Sequence, residues 1–108
     1  MSRIALPQRR RCVTKAATWN APDGSAHTFT VSVGLDDQGT PREAFCDHAK
    51  GAMQATLSDV CTLISIALQH NITPQALAKS LGRVPLWGGE ASASPVGTII
   101  EAIMGEAE

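Results

Sequence analysis

The sequence predicts an α+β fold: a small antiparallel sheet of three or four strands, followed by three helices that cover one of its faces. Three observations carry this. Period-two alternation fills the first half of the chain, helical periodicity fills the second half, and the switch between them falls near residue 50. Strands that all precede the helices exclude an alternating parallel α/β sheet.

The strands come first. "CVTKAATW" and "AHTFTVSVGL" flank "NAPDGS", a Pro-Asp-Gly turn signal. In the second run His27, Phe29, Val31, Val33 and Leu35 point one way and Thr28, Thr30 and Ser32 the other, so one face is core and one is wet. "DDQGTP" is a further turn, and "REAFCDH" reads as a third strand. The helices then follow. Met53, Leu57, Val60, Cys61, Ile64 and Leu68 recur at helical spacing, and Leu63, Ile66 and Ala67 widen the apolar surface, so this helix is expected to be the buried centre. Asp59 falls on its polar edge with Gln54 and Thr62. A second helix starts with Thr73 as N-cap, Pro74 in its first turn and Ile72 placed to pack on Leu77; Gly82 is expected to end it. Residues 84 to 93 read as a loop. The last helix opens with Ser94 as cap and Pro95 in its first turn, and Val96, Ile99, Ile100, Ile103 and Met104 form its apolar face.

Composition limits what such a chain can do. With 108 residues it is one domain with one core, too small for the chambers of a multistep enzyme. Its net charge of −1 hides an asymmetry. Arg3, Arg9, Arg10, Arg11 and Lys15 give the first fifteen residues five bases and no acid, leaving four bases and ten acids for the remainder. We therefore divide the chain into a basic arm, residues 1–11, and a body, residues 12–108. An arm of this kind can meet phosphate by counterion release, pair with an acidic protein surface, or simply be solvated. The three cysteines form no C-x-x-C and follow no signal peptide, which reads as a cytoplasmic protein with reduced thiols; the longest apolar run is far short of a membrane span.

Few residues suggest chemistry. On a strand Cys46 and His48 would share a face and offer two metal ligands, but a structural zinc needs four, which only Cys12, Cys61, His27 or His70 could complete. The same pair read as nucleophile and base lacks an orienting third group. Cys61 lies on an apolar stripe and reads as packing. Gly88 and Gly89 offer amides ahead of a helix, as anion sites do, yet no phosphate-binding or dinucleotide fingerprint is present. Trp19 reads as a strand-edge anchor and Trp87 as a loop plug.

The stretch "GLDDQGTPREAFCDHAKGAMQATLSDVCTLISIALQHNITPQALAKSLGRV" resembles the TSCPD domain, found near the C-terminal end of adenosylcobalamin-dependent ribonucleotide reductases and in small stand-alone proteins. The likeness spans about residues 11 to 104. The Thr-Ser-Cys-Pro-Asp motif that names the family matches Ser92-Ala93-Ser94-Pro95-Val96: Pro95 stands, while the Cys is Ser94 and the Asp is Val96. The resemblance therefore implies a non-catalytic accessory or regulatory module of deoxyribonucleotide synthesis, with no cofactor of its own, acting by association with a reductase subunit or as a homodimer. The alternatives are nucleic-acid or nucleotide-phosphate binding through Arg9, Arg10, Arg11 and Lys15, and a metal or thiol site at Cys46 and His48.

Overall fold

The computed structural model describes residues 11–86 and 89–106; of Leu86 only the backbone is described. Eight elements follow in order: β1 (Cys12–Asn20), β2 (Ala26–Leu35), β3 (Pro41–Asp47), α1 (Ala52–Gln69), α2 (Pro74–Ser80), β4 (Arg83–Leu86), β5 (Gly89–Ser92) and α3 (Pro95–Met104). The first three strands form an antiparallel sheet in the order β1-β2-β3, and β4 and β5 form a separate hairpin. The architecture is α+β, as the pattern requires.

Both turns of the main sheet follow from their side chains. Asp23 Oδ1 accepts from the Ser25 amide at 2.9 Å, and Asp36 Oδ1 accepts from the Gln38 and Thr40 amides at 2.8 and 3.0 Å. Gly24 and Gly39 supply the left-handed residue at φ 90° and 79°. The register pairs Val31 with Lys15 on one side and Cys46 on the other. Phe29, Val31, Val33 and Leu35 therefore point to the covered face together with Ala44 and Cys46. Onto them pack Leu57, Cys61, Ile64 and Leu68 of α1 and Ile99, Ile100 and Ile103 of α3. Each fully buried aliphatic or aromatic side chain contributes roughly 1.5–3 kcal/mol. The opposite face carries hydroxyl pairs, Thr14 with Ser32 and Thr18 with Thr28, both at 2.9 Å.

Four expectations change. The 84–93 loop is a hairpin with Arg83 opposite Ser92 and Leu86 opposite Gly89; its strands have four residues each and lack apolar alternation, so periodicity could not reveal them. Helix α1 is not buried all round: Leu63 is 67% and Ile66 37% exposed, because the helix lies along β3 and offers the sheet only one stripe. Ile72, expected to pack on Leu77, stays 44% exposed. Helix α2 ends without a left-handed glycine. Leu81 is already extended, and Gly82 passes so close to Ala93 that a Cβ would lie 3.2 Å from the Ala93 methyl. Thr73 does cap α2, accepting the Ala76 amide at 3.1 Å. Asp59 is exposed, as its place on the polar edge implies.

Candidate functional site

The family-motif residues converge where β5 enters α3. Ser92 is buried at the end of β5, and its hydroxyl donates to Glu101 Oε1, two turns into α3. Arg83, opposite Ser92 on β4, donates to the same Glu101 oxygen at 3.2 Å and to the Glu90 carbonyl at 3.3 Å. From the main sheet, Trp19 Nε1 donates to the Ser92 carbonyl at 3.2 Å. Gly97 makes this closeness possible, since a Cβ there would stand 2.8 Å from Ser92 Cβ and Oγ. The hairpin, α3 and β1 are thus pinned together through one serine.

The cap expected at Ser94 is not formed. Its backbone is extended, at φ −147° and ψ 164°, but the side chain accepts no amide of α3. Pro95 does occupy the first turn, where its missing N–H costs nothing. Entry to α3 is fixed instead by Pro95 and by the Ser92–Gly97 contact one turn away. Sequence reading placed Ser92 at the head of the family motif without giving it a role, and passed over Gly97, Glu101 and Arg83. A hydroxyl kept at the first motif position, five residues before a helical glycine, is the signal that could have found them.

Cys46 and His48 do not share a face. Strand β3 ends at Asp47, and His48 takes a left-handed φ of 67°, so its ring turns to the open face and Nδ1 lies 3.2 Å from Thr30 Oγ1. Cys46 is buried on the covered face. Burial, with the Asp47 charge, raises its thiol pKa, and burial pushes that of Cys61 up to about 12, which disfavours the thiolate at both. Among the described residues no three His, Cys, Asp or Glu side chains are placed to hold a metal ion.

The phosphate candidates that fall among the described residues are also dispersed. Lys15 is committed to Glu106 at 2.8 Å. Arg11 is exposed, and its carbonyl accepts the Leu35 amide at 2.8 Å. Gly89 opens β5, a whole strand before α3, so it is not at the helix start. Arg9, Arg10, Gly88 and Trp87 lie outside the described residues.

A second polar cluster seals the outer edge of β3. Ser65 Oγ accepts the Ala44 amide at 2.9 Å, Gln69 Nε2 donates to the Arg42 carbonyl at 3.0 Å, and Gln54 Nε2 donates to the Cys46 carbonyl at 2.7 Å. Residues 54, 65 and 69 lie on one stripe of α1, eleven and four apart. Arg42 ties the far end: Nε donates to Asp36 at 3.0 Å and Nη1 to the Leu68 carbonyl at 2.8 Å and Asn71 at 2.9 Å.

Hairpin, motif and covering helices together define a small α+β module. A family model described as the TSCPD domain matches residues 4–105, nearly the whole chain, and the protein belongs to that family, which occurs in ribonucleotide reductase-related proteins. No curated protein and no solved structure matches the chain. Among the described residues no helix is long and apolar enough to cross a membrane.

Proposed function

We propose that this protein is a non-catalytic accessory or regulatory module of ribonucleotide reduction, working in the cytoplasm and contributing to deoxyribonucleotide synthesis by binding a reductase subunit or a second copy of itself. The observation that carries this reading is family membership over residues 4–105 combined with a signature that holds Ser94 and Val96 in place of the thiol and carboxylate. The hydroxyl kept at Ser92 serves to join β5 to α3, which is a structural task. Surface for association exists on the outer side of α1 and just beyond it, where Leu63, Ile66 and Ile72 are exposed.

The test is a pull-down from native extract with the full chain, the chain lacking residues 1–10, which leaves β1 whole, and a Leu63→Glu/Ile66→Glu variant, paired with light scattering on the purified protein. Recovery of a reductase subunit, or a dimer by scattering, that is lost in the double variant supports the reading. A monomer that captures only nucleic acid, and loses it with the arm, overturns it in favour of phosphate binding.

A further inference from the structure

Strand β1 carries an edge that the usual protections leave untouched. Its pairing with β2 runs from Cys12 to Asn20 without a bulge, and it contains neither proline nor glycine. Sheet edges are commonly blunted by such residues, by outward charges or by a covering element, because unpaired backbone groups template a further strand. The one charged residue of β1 is Lys15, and Glu106 holds it on the covered face at 2.8 Å. The far edge, β3, is by contrast sealed by α1 through Ser65, Gln69 and Gln54.

The strand is also held in shape. Trp19 Nε1 donates to the Ser92 carbonyl at 3.2 Å, its ring stacks on His27 with centroids 5.5 Å apart, and His27 Nε2 lies 3.0 Å from Ser25 Oγ. A strand fixed in advance needs little further ordering when it binds.

This edge complements itself. The Arg11–Leu35 bond turns the backbone of odd residues toward β2, so Cys12, Thr14, Ala16, Thr18 and Asn20 present amide and carbonyl outward. A second copy laid antiparallel about a two-fold axis at Ala16 uses the whole strand. Cys12 then meets Asn20, Thr14 meets Thr18 and Ala16 meets itself, each as a hydrogen-bonded pair. On the open face the hydroxyl pairs Thr14–Ser32 and Thr18–Thr28 join into one row. On the covered face Val13 meets Trp19 and Lys15 meets Ala17. An axis at Lys15 would set two ammonium groups opposite each other, and one at Ala17 would shorten the overlap.

Charge favours the same partner. Antiparallel order brings the exposed Arg11 of the second copy beside Ala21, with its side chain on the same side as Trp19. There the end of β1 and β5 enclose a cleft of about 200 Å³ whose wall includes Asn20 and the exposed Glu90.

We propose that β1 pairs antiparallel with β1 of a second copy of this chain, about Ala16, joining two three-stranded sheets into one. This surface is separate from the outer side of α1, which packs at the β3 edge, so Leu63 and Ile66 of both copies stay free for another partner.

Light scattering on a dilution series of the full chain measures the dimer, and cross-linking reads its register. Ala16→Pro removes an outward amide and leaves the bonds to β2 in place, so dimerisation should weaken at least about tenfold with unchanged circular dichroism. Asn20→Cys reads the contact by a gain of signal. Its new thiol should meet the native Cys12 of the second copy at the roughly 5.5 Å Cα separation of a hydrogen-bonded pair, which a disulfide can span when glutathione disulfide is added as oxidant. Wild type and Cys12→Ser/Asn20→Cys should stay uncross-linked, because identical positions lie roughly 26 Å apart at either end of the paired strands. Glu90→Lys should weaken the dimer about tenfold, and Arg11→Glu in the same chain should restore it. A monomer at about 0.5 mM, a dimer unchanged by Ala16→Pro, a dimer that dissociates in Leu63→Glu/Ile66→Glu, or an Asn20→Cys chain that cross-links no better than Cys12→Ser/Asn20→Cys would each overturn the proposal. Unchanged affinity in Glu90→Lys would overturn the Arg11 contact.

Discussion

The two edges of the main sheet are finished in different ways. On β3 the outward backbone groups of Arg42, Ala44 and Cys46 meet side chains of α1, so the helix stands in for a missing strand. On β1 the Arg11–Leu35 bond sets the parity: odd residues face β2, and the amides and carbonyls of Cys12, Thr14, Ala16, Thr18 and Asn20 face outward. Among the described residues nothing bonds to them. Strand β1 is tied to the rest of the molecule beyond β2 by side chains instead, through Lys15 to Glu106 and Trp19 to Ser92. The difference teaches that one helix does two tasks along β3, covering apolar surface and satisfying a ladder, whereas α3 only covers β1. Stability should therefore concentrate on the β3 side.

Opening the β3 edge should have the largest effect. Replacing Gln54, Ser65 and Gln69 together by Ala strands buried backbone groups, and we expect a loss of about 3–5 kcal/mol in urea unfolding, with concentration-dependent association through the freed edge. Ser65→Ala alone should cost about 1–3 kcal/mol. If the triple variant loses less than the single one is expected to lose, α1 is not acting as a strand substitute.

Removing the Arg42 clamp comes next, with a cost of about 2–3 kcal/mol for Arg42→Met at neutral pH. This gap should depend on pH. Burial opposes ionisation of Asp36, but the Thr40 amide, the Arg42 guanidinium and the Gln38 amide outweigh it and hold its pKa below the usual 3.8. A carboxyl with a depressed folded-state pKa stabilises the fold above its unfolded value and loses that contribution as pH falls through the lower folded value. The gap between wild type and Arg42→Met should thus narrow as pH drops below 3.8, leaving the part carried by the bonds to Leu68 and Asn71. Urea midpoints with an equal gap at pH 7 and in strong acid would break the assignment.

The smallest effect is expected on β1. The Lys15–Glu106 pair is 30% and 22% exposed, so Lys15→Met should cost less than about 1 kcal/mol. Raising the salt to about 0.5 M should erase most of the difference. A larger or salt-insensitive loss would mean that β1 is held as firmly as β3.

How much of this was legible follows from which residues repeat. Alternation from His27 to Leu35 and the helical stripe from Met53 to Leu68 are dense signals, and both elements stand where they pointed. The β4–β5 hairpin was invisible because four-residue strands containing Pro85 and Gly89 have no period to detect. Thr73 and Ser94 show the limit more sharply. Each precedes a proline and a helix, yet only Thr73 makes the capping bond. Near the candidate site, Pro95 stands in the first turn of α3 as its place before the apolar stripe implied, while Ser92, Glu101 and Arg83 lie on three different elements and no local pattern joins them. Cys46 and His48 were joined by a local pattern that the left-handed turn at His48 breaks.

By itself, then, the sequence determined the elements whose residues repeat, the two glycine-bearing turns, the covered face of β2 and the family, because each depends on neighbours in the chain or on a pattern long enough to average over. Tertiary structure alone decided which polar groups meet: Ser92 with Glu101, Ser65 with Ala44, Arg42 with the end of α1, and His27 with its serine and tryptophan. A hydrogen bond needs two atoms within about 3 Å, and chain order does not set that distance for residues many positions apart.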